Sequence, residues 1–188
     1  MKIEFLDGSK KEYEKGTTPY DIASSISKGL LKNSVYALVN DEAYDLKRPI
    51  LKDSKVELVT KDDERALEVL RHSCSHLMAS AILKLYPKAL FGVGPAIEEG
   101  FYYDVDLDGE KFDEESLKVI EKEMVRQVGA GLNFERREVS KQEALKVFKD
   151  CPYKTELINE LEDGEIITIY KLGDYLDLCR GPHVLNTS

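Results

Sequence analysis

The chain predicts an α+β protein in two parts: a small β-grasp (ubiquitin-like) domain over residues 1–61, then an α+β domain over 62–188 with one central helix on a mostly antiparallel sheet. Three observations lead there. The first sixty residues alternate strand, turn, strand and helix signals at short spacing. One long helical period, Arg65 to Tyr86, follows an acidic run. Charge also divides at the same place, with 11 basic and 10 acidic side chains up to Lys61 and 16 basic and 26 acidic ones beyond it.

In the first part Lys2–Leu6 alternates as a strand, Asp7-Gly8 is a hairpin turn signal, and Lys10–Glu14 can return. Thr18 is a helix N-cap and Pro19 suits the first helical position. That helix turns Ile22, Ala23 and Ile26 inward and stops at Gly29. Val35–Val39 is apolar and strand-like, Asn40-Asp41 turns, and Lys55–Thr60 alternates. One helix on a mixed sheet is the β-grasp pattern.

The run Lys61-Asp62-Asp63-Glu64-Arg65 opens the second part, with an aspartate as cap and acids at the positive helix end. Pro87 closes the helix. At 100° per residue, Leu67, Leu70, Cys74, Leu77, Met78, Ala81 and Leu85 share one broad face. His72 and His76 lie nearly opposite, among Val69, Ala79 and Leu83. A helix apolar on both sides is buried and central, so its histidines should face a pocket. Gly92-Val93-Gly94-Pro95 is a tight connection, Gly100–Leu107 is strand-like, and Asp113–Val128 is a helix with Leu117, Ile120, Met124 and Val128 inward. Ser140-Lys141-Gln142-Glu143 reads as a capping box. Ile166–Lys171 and Tyr175–Cys179 are strands joined near Gly173-Asp174.

Composition excludes several classes. With 42% hydrophobic and 34% charged residues a packed core is expected. A net charge of −9 excludes a generic binder of nucleic acid held by phosphate neutralisation. No apolar run approaches the ~20 residues that span a bilayer, and the N-terminus has no apolar signal core, so a cytoplasmic protein is expected. Three unpatterned cysteines, Cys74, Cys151 and Cys179, argue against a disulfide framework. No Gly-x-x-x-x-Gly-Lys-Ser/Thr loop is present, which excludes a P-loop NTPase.

Chemistry concentrates in three segments. In His72-Ser73-Cys74-Ser75-His76, two histidines four apart share a helix face. In Asp177-Leu178-Cys179-Arg180-Gly181-Pro182-His183, strand alternation puts Tyr175, Asp177 and Cys179 on one face and Leu176 and Leu178 on the other, with the leucines in the core. Cys151-Pro152-Tyr153-Lys154-Thr155-Glu156-Leu157 reads as a loop, and its lysine is a solvated charge unless the fold carries it to the histidines. All three histidines of the chain fall in the first two segments. His72, His76, Cys179 and His183 are of zinc-ligand type; without metal the same groups can hold a water and act as base and acid near neutral pH. Cys179 as a nucleophile activated by His183 is a further option, without a recognised cysteine-protease neighbourhood.

Read in order, Arg71-His72-Ser73-Cys74-Ser75-His76-Leu77, Gly94-Pro95, Glu98-Glu99-Gly100-Phe101-Tyr102-Tyr103-Asp104, Tyr153-Lys154 and Asp177 to His183 resemble the N-terminal part of bacterial threonyl-tRNA synthetases, with residues 1–61 as the TGS domain and 62–188 as the editing domain. The resemblance implies a deacylase acting on serine misattached to tRNA(Thr), beside absent domains that make the parent an ATP-dependent ligase. Serine lacks one methyl of threonine, which gives only about 1–3 kcal/mol of discrimination at a first site, so a second sieve is needed. The resemblance implies that His72 and Lys154 activate or position water, that His76, Cys179 and His183 line the site, and that Asp177 holds the seryl amine or hydroxyl. It also implies a metal-free site, with no cofactor. Alanyl-type relatives place zinc on the same four positions. The implied partners are the seryl-bearing acceptor end of tRNA(Thr) and the remaining synthetase domains, with the piece itself monomeric and no membrane involved. A non-catalytic RNA-binding module and a zinc-dependent trans-editing deacylase are the rival readings.

Overall fold

In the computed structural model, which describes residues 1–162 and 164–188, the chain forms two compact units. The first comprises Met1–Leu70 with Gly181–Leu185, and the second Arg71–Arg180 with Asn186–Ser188.

The first unit begins as expected. Strand β1 (Lys2–Glu4) turns back at Gly8, whose φ of 80° favours glycine, into β2 (Lys10–Glu12). Helix α1 (Pro19–Ile26) starts at a full capping box between Thr18 and Asp21, but it breaks at Ser27 and not at Gly29. Ser27 is extended, and its hydroxyl accepts the Leu30 N–H to cap a second short helix, α2 (Lys28–Asn33). The break turns Ile26 outward, 51% exposed, against the expected burial, while Ile22 and Ala23 are fully buried. Strand β3 (Ser34–Val39) and the unexpected β4 (Glu42–Tyr44) are joined by Asn40 and Asp41, both at positive φ. That is what a tight two-residue hairpin requires. Strand β5 (Ser54–Thr60) completes a mixed sheet in the order β2-β1-β5-β3-β4, with β1 and β5 parallel. Ile3, Ile22, Ala37, Val39, Ile50 and Val56 form its core. The β-grasp expectation stands, with two helices in place of one.

Helix α3 (Ala66–Leu85) runs across the boundary between the units. It is central in the second unit: Ser73, Ser75, His76, Leu77, Ala79, Ser80, Ala81 and Ile82 are all buried. Its first turns differ from expectation, since Leu67 and Leu70 are 46% and 41% exposed. Gly100–Leu107 is not one strand. The chain folds into two small ladders, β6 (Leu90–Phe91) with β9 (Val105–Asp106) and β7 (Ala96–Ile97) with β8 (Gly100–Phe101). Helix α4 (Glu114–Ala130) is capped by a box between Asp113 and Ser116 and ends at Gly131 in the left-handed region. It buries Ile120 but leaves Leu117 and Val128 exposed.

An antiparallel sheet of β10 (Phe134–Val139), β11 (Ile167–Leu172) and β12 (Tyr175–Leu178) closes the unit. Two helices precede β11: α5 (Lys141–Val147), capped by Ser140, and α6 (Pro152–Glu160). Ala144, Phe148 and Ile158 from these helices pack on Ile167 and Ile169. Segment 151–157, read as a loop, is therefore mostly helix. Pro152 stands in its first turn, where the missing N–H costs nothing.

Candidate active site

The two histidines meet on α3 as their spacing requires, with rings 5.0 Å apart and edge to face. Hydrogen bonds fix the helix around them. Ser75 Oγ donates to the carbonyls of His72 (2.8 Å) and Gly94 (2.9 Å), and Arg71 reaches the carbonyls of Ile97 (3.3 Å) and Glu98. His76 is buried among the rings of Tyr175, Tyr103 and Phe134, at centroid distances of 5.9, 6.3 and 6.5 Å.

Strand β12 delivers Asp177. Alternation along the strand is as expected, but its burial is inverted. Tyr175 and Asp177 are each 2% exposed, whereas Leu176 is 40% exposed and Leu178 only partly covered. The strand gives its polar face to the interior because donors and an opposite charge from other elements meet it there. Asp177 accepts from Tyr103 Oη, contacts His76 Nε2 at 3.2 Å through Oδ2, and is ion-paired through Oδ1 with Lys154 Nζ. A buried carboxylate survives only with such compensation.

Lys154 corrects the reading of a solvated loop charge. It lies in the first turn of α6, is 3% exposed, and has its ammonium on Asp177 with Tyr103 Oη 3.4 Å away. Cys179 follows β12, anchored through its backbone N–H to the Thr168 carbonyl at 3.2 Å, and its Sγ is 3.2 Å from His72 Nε2. Donor atoms of His72, His76 and Cys179 lie within 4.8 Å of one another. His183 falls in the segment that clusters with the first unit. There it is 1% exposed and its backbone N–H donates to Asp45 at 2.9 Å. Five of the six expected residues thus share the second unit's interior.

Burial dominates the electrostatics. It lowers the His76 imidazole to about 4, against the opposing pull of Asp177 and with help from His72 and Lys154. His76 is therefore neutral at pH 7 and a poor base. Burial, then the Asp177 charge, hold the Tyr103 and Tyr175 phenols protonated well above the usual tyrosine range. The cluster offers two imidazoles, that of His76 neutral, with phenol donors, a carboxylate and an ammonium in a largely buried space. Such a set can polarise a carbonyl and orient one water.

Residues 1–60 match the TGS domain family, and residues 167–188 match the threonyl and alanyl tRNA synthetase second additional domain. The whole chain aligns with proteins named threonine–tRNA ligase, at 46% identity in Thermotoga neapolitana, 48% in Enterococcus faecalis and 49% in Streptococcus pyogenes. The chain carries the TGS and second-additional-domain modules of bacterial threonine–tRNA ligases. It spans 29% of the length of those relatives and corresponds to their N-terminal part. Asp177, Cys179 and His183 fall within the matched second-additional-domain span, and His72, His76 and Lys154 precede it.

The residue that sequence reasoning missed in this cluster is Tyr103. It joins Asp177, Lys154 and Tyr175, whose own hydroxyl donates to it at 2.8 Å. Its position is set by Gly94: a Cβ there would stand 2.3 Å from two atoms of the Tyr103 ring. The signals were present as Gly94 and a run of aromatics, but nothing in the sequence distinguished Tyr103 from Tyr102, which is 46% exposed.

Proposed function

We propose that the buried cluster hydrolyses the ester of serine misattached to tRNA(Thr), as the editing part of a threonine–tRNA ligase acting in the cytoplasm. The observation that carries this reading is the buried Lys154–Asp177 ion pair set beside His72 and His76. A carboxylate and an ammonium held dry next to two imidazoles cost stability even when paired, and such buried, perturbed groups concentrate at functional sites.

In this reading His72 takes the proton of the attacking water, with Cys179 fixing its ring through the 3.2 Å contact. His76, neutral at working pH, lines the pocket. In the same reading Lys154 supplies positive charge that steadies the oxyanion formed as water adds to the ester carbon. Asp177 accepts hydrogen bonds from the seryl ammonium or hydroxyl. Water attacks the carbonyl carbon, the acyl–oxygen bond breaks, and the ribose oxygen leaves with a proton. Free serine and tRNA are the products, with no acyl-enzyme. Tyr103 and Tyr175 keep the site closed and oriented. In a whole ligase further domains supply the broad tRNA contacts, and residues 1–188 by themselves are monomeric.

The reading needs no metal. A zinc-bound water is the second reading, favoured by the three donors within 4.8 Å. Metal analysis of untagged protein decides between them, since one equivalent of zinc selects the second. The test of the function is deacylation of Ser-tRNA(Thr) against Thr-tRNA(Thr), with His72→Ala as control. Faster loss of serine, abolished by the substitution, is expected. Equal rates for the two esters, or activity that survives His72→Ala, would overturn it.

A further inference from the structure

A second cleft, of about 320 Å3, opens between α3 and α4 and is bounded by the β11–β12 turn. Its volume is at the lower end of small-ligand pockets, about 300–1000 Å3. Gln127 is 3% exposed, lines this cleft, and its Oε1 has no hydrogen-bond partner among the described residues. The orientation of the amide is set by Glu123. Gln127 Nε2 is 3.0 Å from the Glu123 carboxylate, which also takes two 2.7 Å hydrogen bonds from Arg126 and is held at about 2, hence ionised. A carboxylate accepts from N–H and repels a carbonyl oxygen, so Oε1 is the atom left over. A buried acceptor without a donor calls for an O–H or N–H from a ligand.

The rim defines the rest of that ligand. Lys84 and Arg126 stand on the α3 and α4 side; Arg126 is paired with Glu123, whose carboxylate also feels the Lys84 charge, and Lys84 is exposed. Asp174 stands on the β11–β12 turn and repels an anion there. The exposed Lys84 ammonium on one side, with the paired Arg126 behind it, and a buried acceptor within fit a hydroxyl and a phosphate held a few bonds apart. The cleft also adjoins the reactive cluster. His72, His76 and Ser80, then Lys84, follow one another at four-residue spacing on α3, and Tyr175 both packs on His76 and lines the cleft.

We propose that this cleft holds one ribose–phosphate unit of the RNA strand whose esterified end enters the reactive cluster, the 2′-hydroxyl donating to Gln127 Oε1 and the phosphate lying against Lys84 and Arg126. The proposal rests on the editing reading for its choice of strand, but its test involves no ester. The probe is a fluorescently labelled single-stranded RNA ending in CCA, compared with DNA of the same sequence by anisotropy titration over a salt series. The protein binds the RNA about 2–10-fold more tightly, the range of one neutral hydrogen bond. Gln127→Met, which keeps the shape and removes the acceptor, erases that preference. Lys84→Gln, at an exposed position that tolerates change, lowers the salt slope by about 0.7, one single-strand phosphate contact. An RNA preference unaltered by Gln127→Met, equal binding of RNA and DNA by the unaltered protein, or an unchanged slope for Lys84→Gln each overturns the proposal. The probe carries no ester, so loss of the RNA preference and loss of ester hydrolysis are read in separate measurements, and failure of one reading is separable from failure of the other.

Discussion

Tyr103 shows how one side chain ties the reactive cluster to its frame. Its ring packs against the backbone of Gly94, and its hydroxyl stands among Asp177, Lys154 and Tyr175. Gly94 is required here for close approach and not for a special φ. Gly94→Ala therefore forces the ring out or the 92–95 connection away. The expected cost is about 1–3 kcal/mol, as for other overpacked sites, measured by urea unfolding. Replacing Tyr103 with Leu in the Gly94→Ala background clears the clash and recovers part of that loss. Additive destabilisation in the double variant would show that the two positions do not meet. Tyr103 is also where sequence reading stops. Apolar and aromatic periodicity say that a ring is buried, but which of Tyr102 and Tyr103 turns inward is decided by two-residue ladders too short to show a period.

At the scale of elements, legibility follows the strength of the local signal. Helix α3 was readable because twenty residues of period and a closing proline outweigh any tertiary effect. Its two histidines consequently share one face, as their spacing predicts. The alternation of β12 was readable too, but not its burial: leucine is normally the inner residue, and only the partners of Asp177, all distant in sequence, reverse the preference. Helix α6 was missed because Cys151 gives no side-chain cap and the segment lacks a clear apolar stripe. That omission hid Lys154, whose burial depends on Ile158 packing into the core one turn later. The pair it forms makes a measurable prediction. Lys154→Met strands a buried carboxylate and should cost about 3–5 kcal/mol. Lys154→Met with Asp177→Asn removes the stranded charge, so the double variant should be more stable than the sum of the two single losses implies. Strict additivity in denaturant unfolding would mean that the ion pair contributes nothing as a pair.

For the whole molecule the decisive quantity is charge and its dependence on pH. The −9 charge falls toward zero near pH 5, where the chain is isoelectric. Loss of self-repulsion on that descent favours the compact state. His76 opposes it. Its pKa is about 4 in the folded protein against 6.5 unfolded, so between those values the unfolded chain binds more protons. The stability held by neutral His76 is complete above pH 6.5 and is lost as the pH falls toward 4, at about 1.4 kcal/mol per unit and about 3 kcal/mol in all. Solvent screening does little to reduce this, because the ring is 2% exposed. Urea unfolding of chelator-treated protein from pH 7.5 to 4.5 should therefore show stability falling with pH. His76→Asn should be less stable at neutral pH but markedly flatter across the same window. Parallel curves for the two proteins would show that His76 is not held neutral by burial. It would then be available as a base, and water activation would no longer rest on His72 alone.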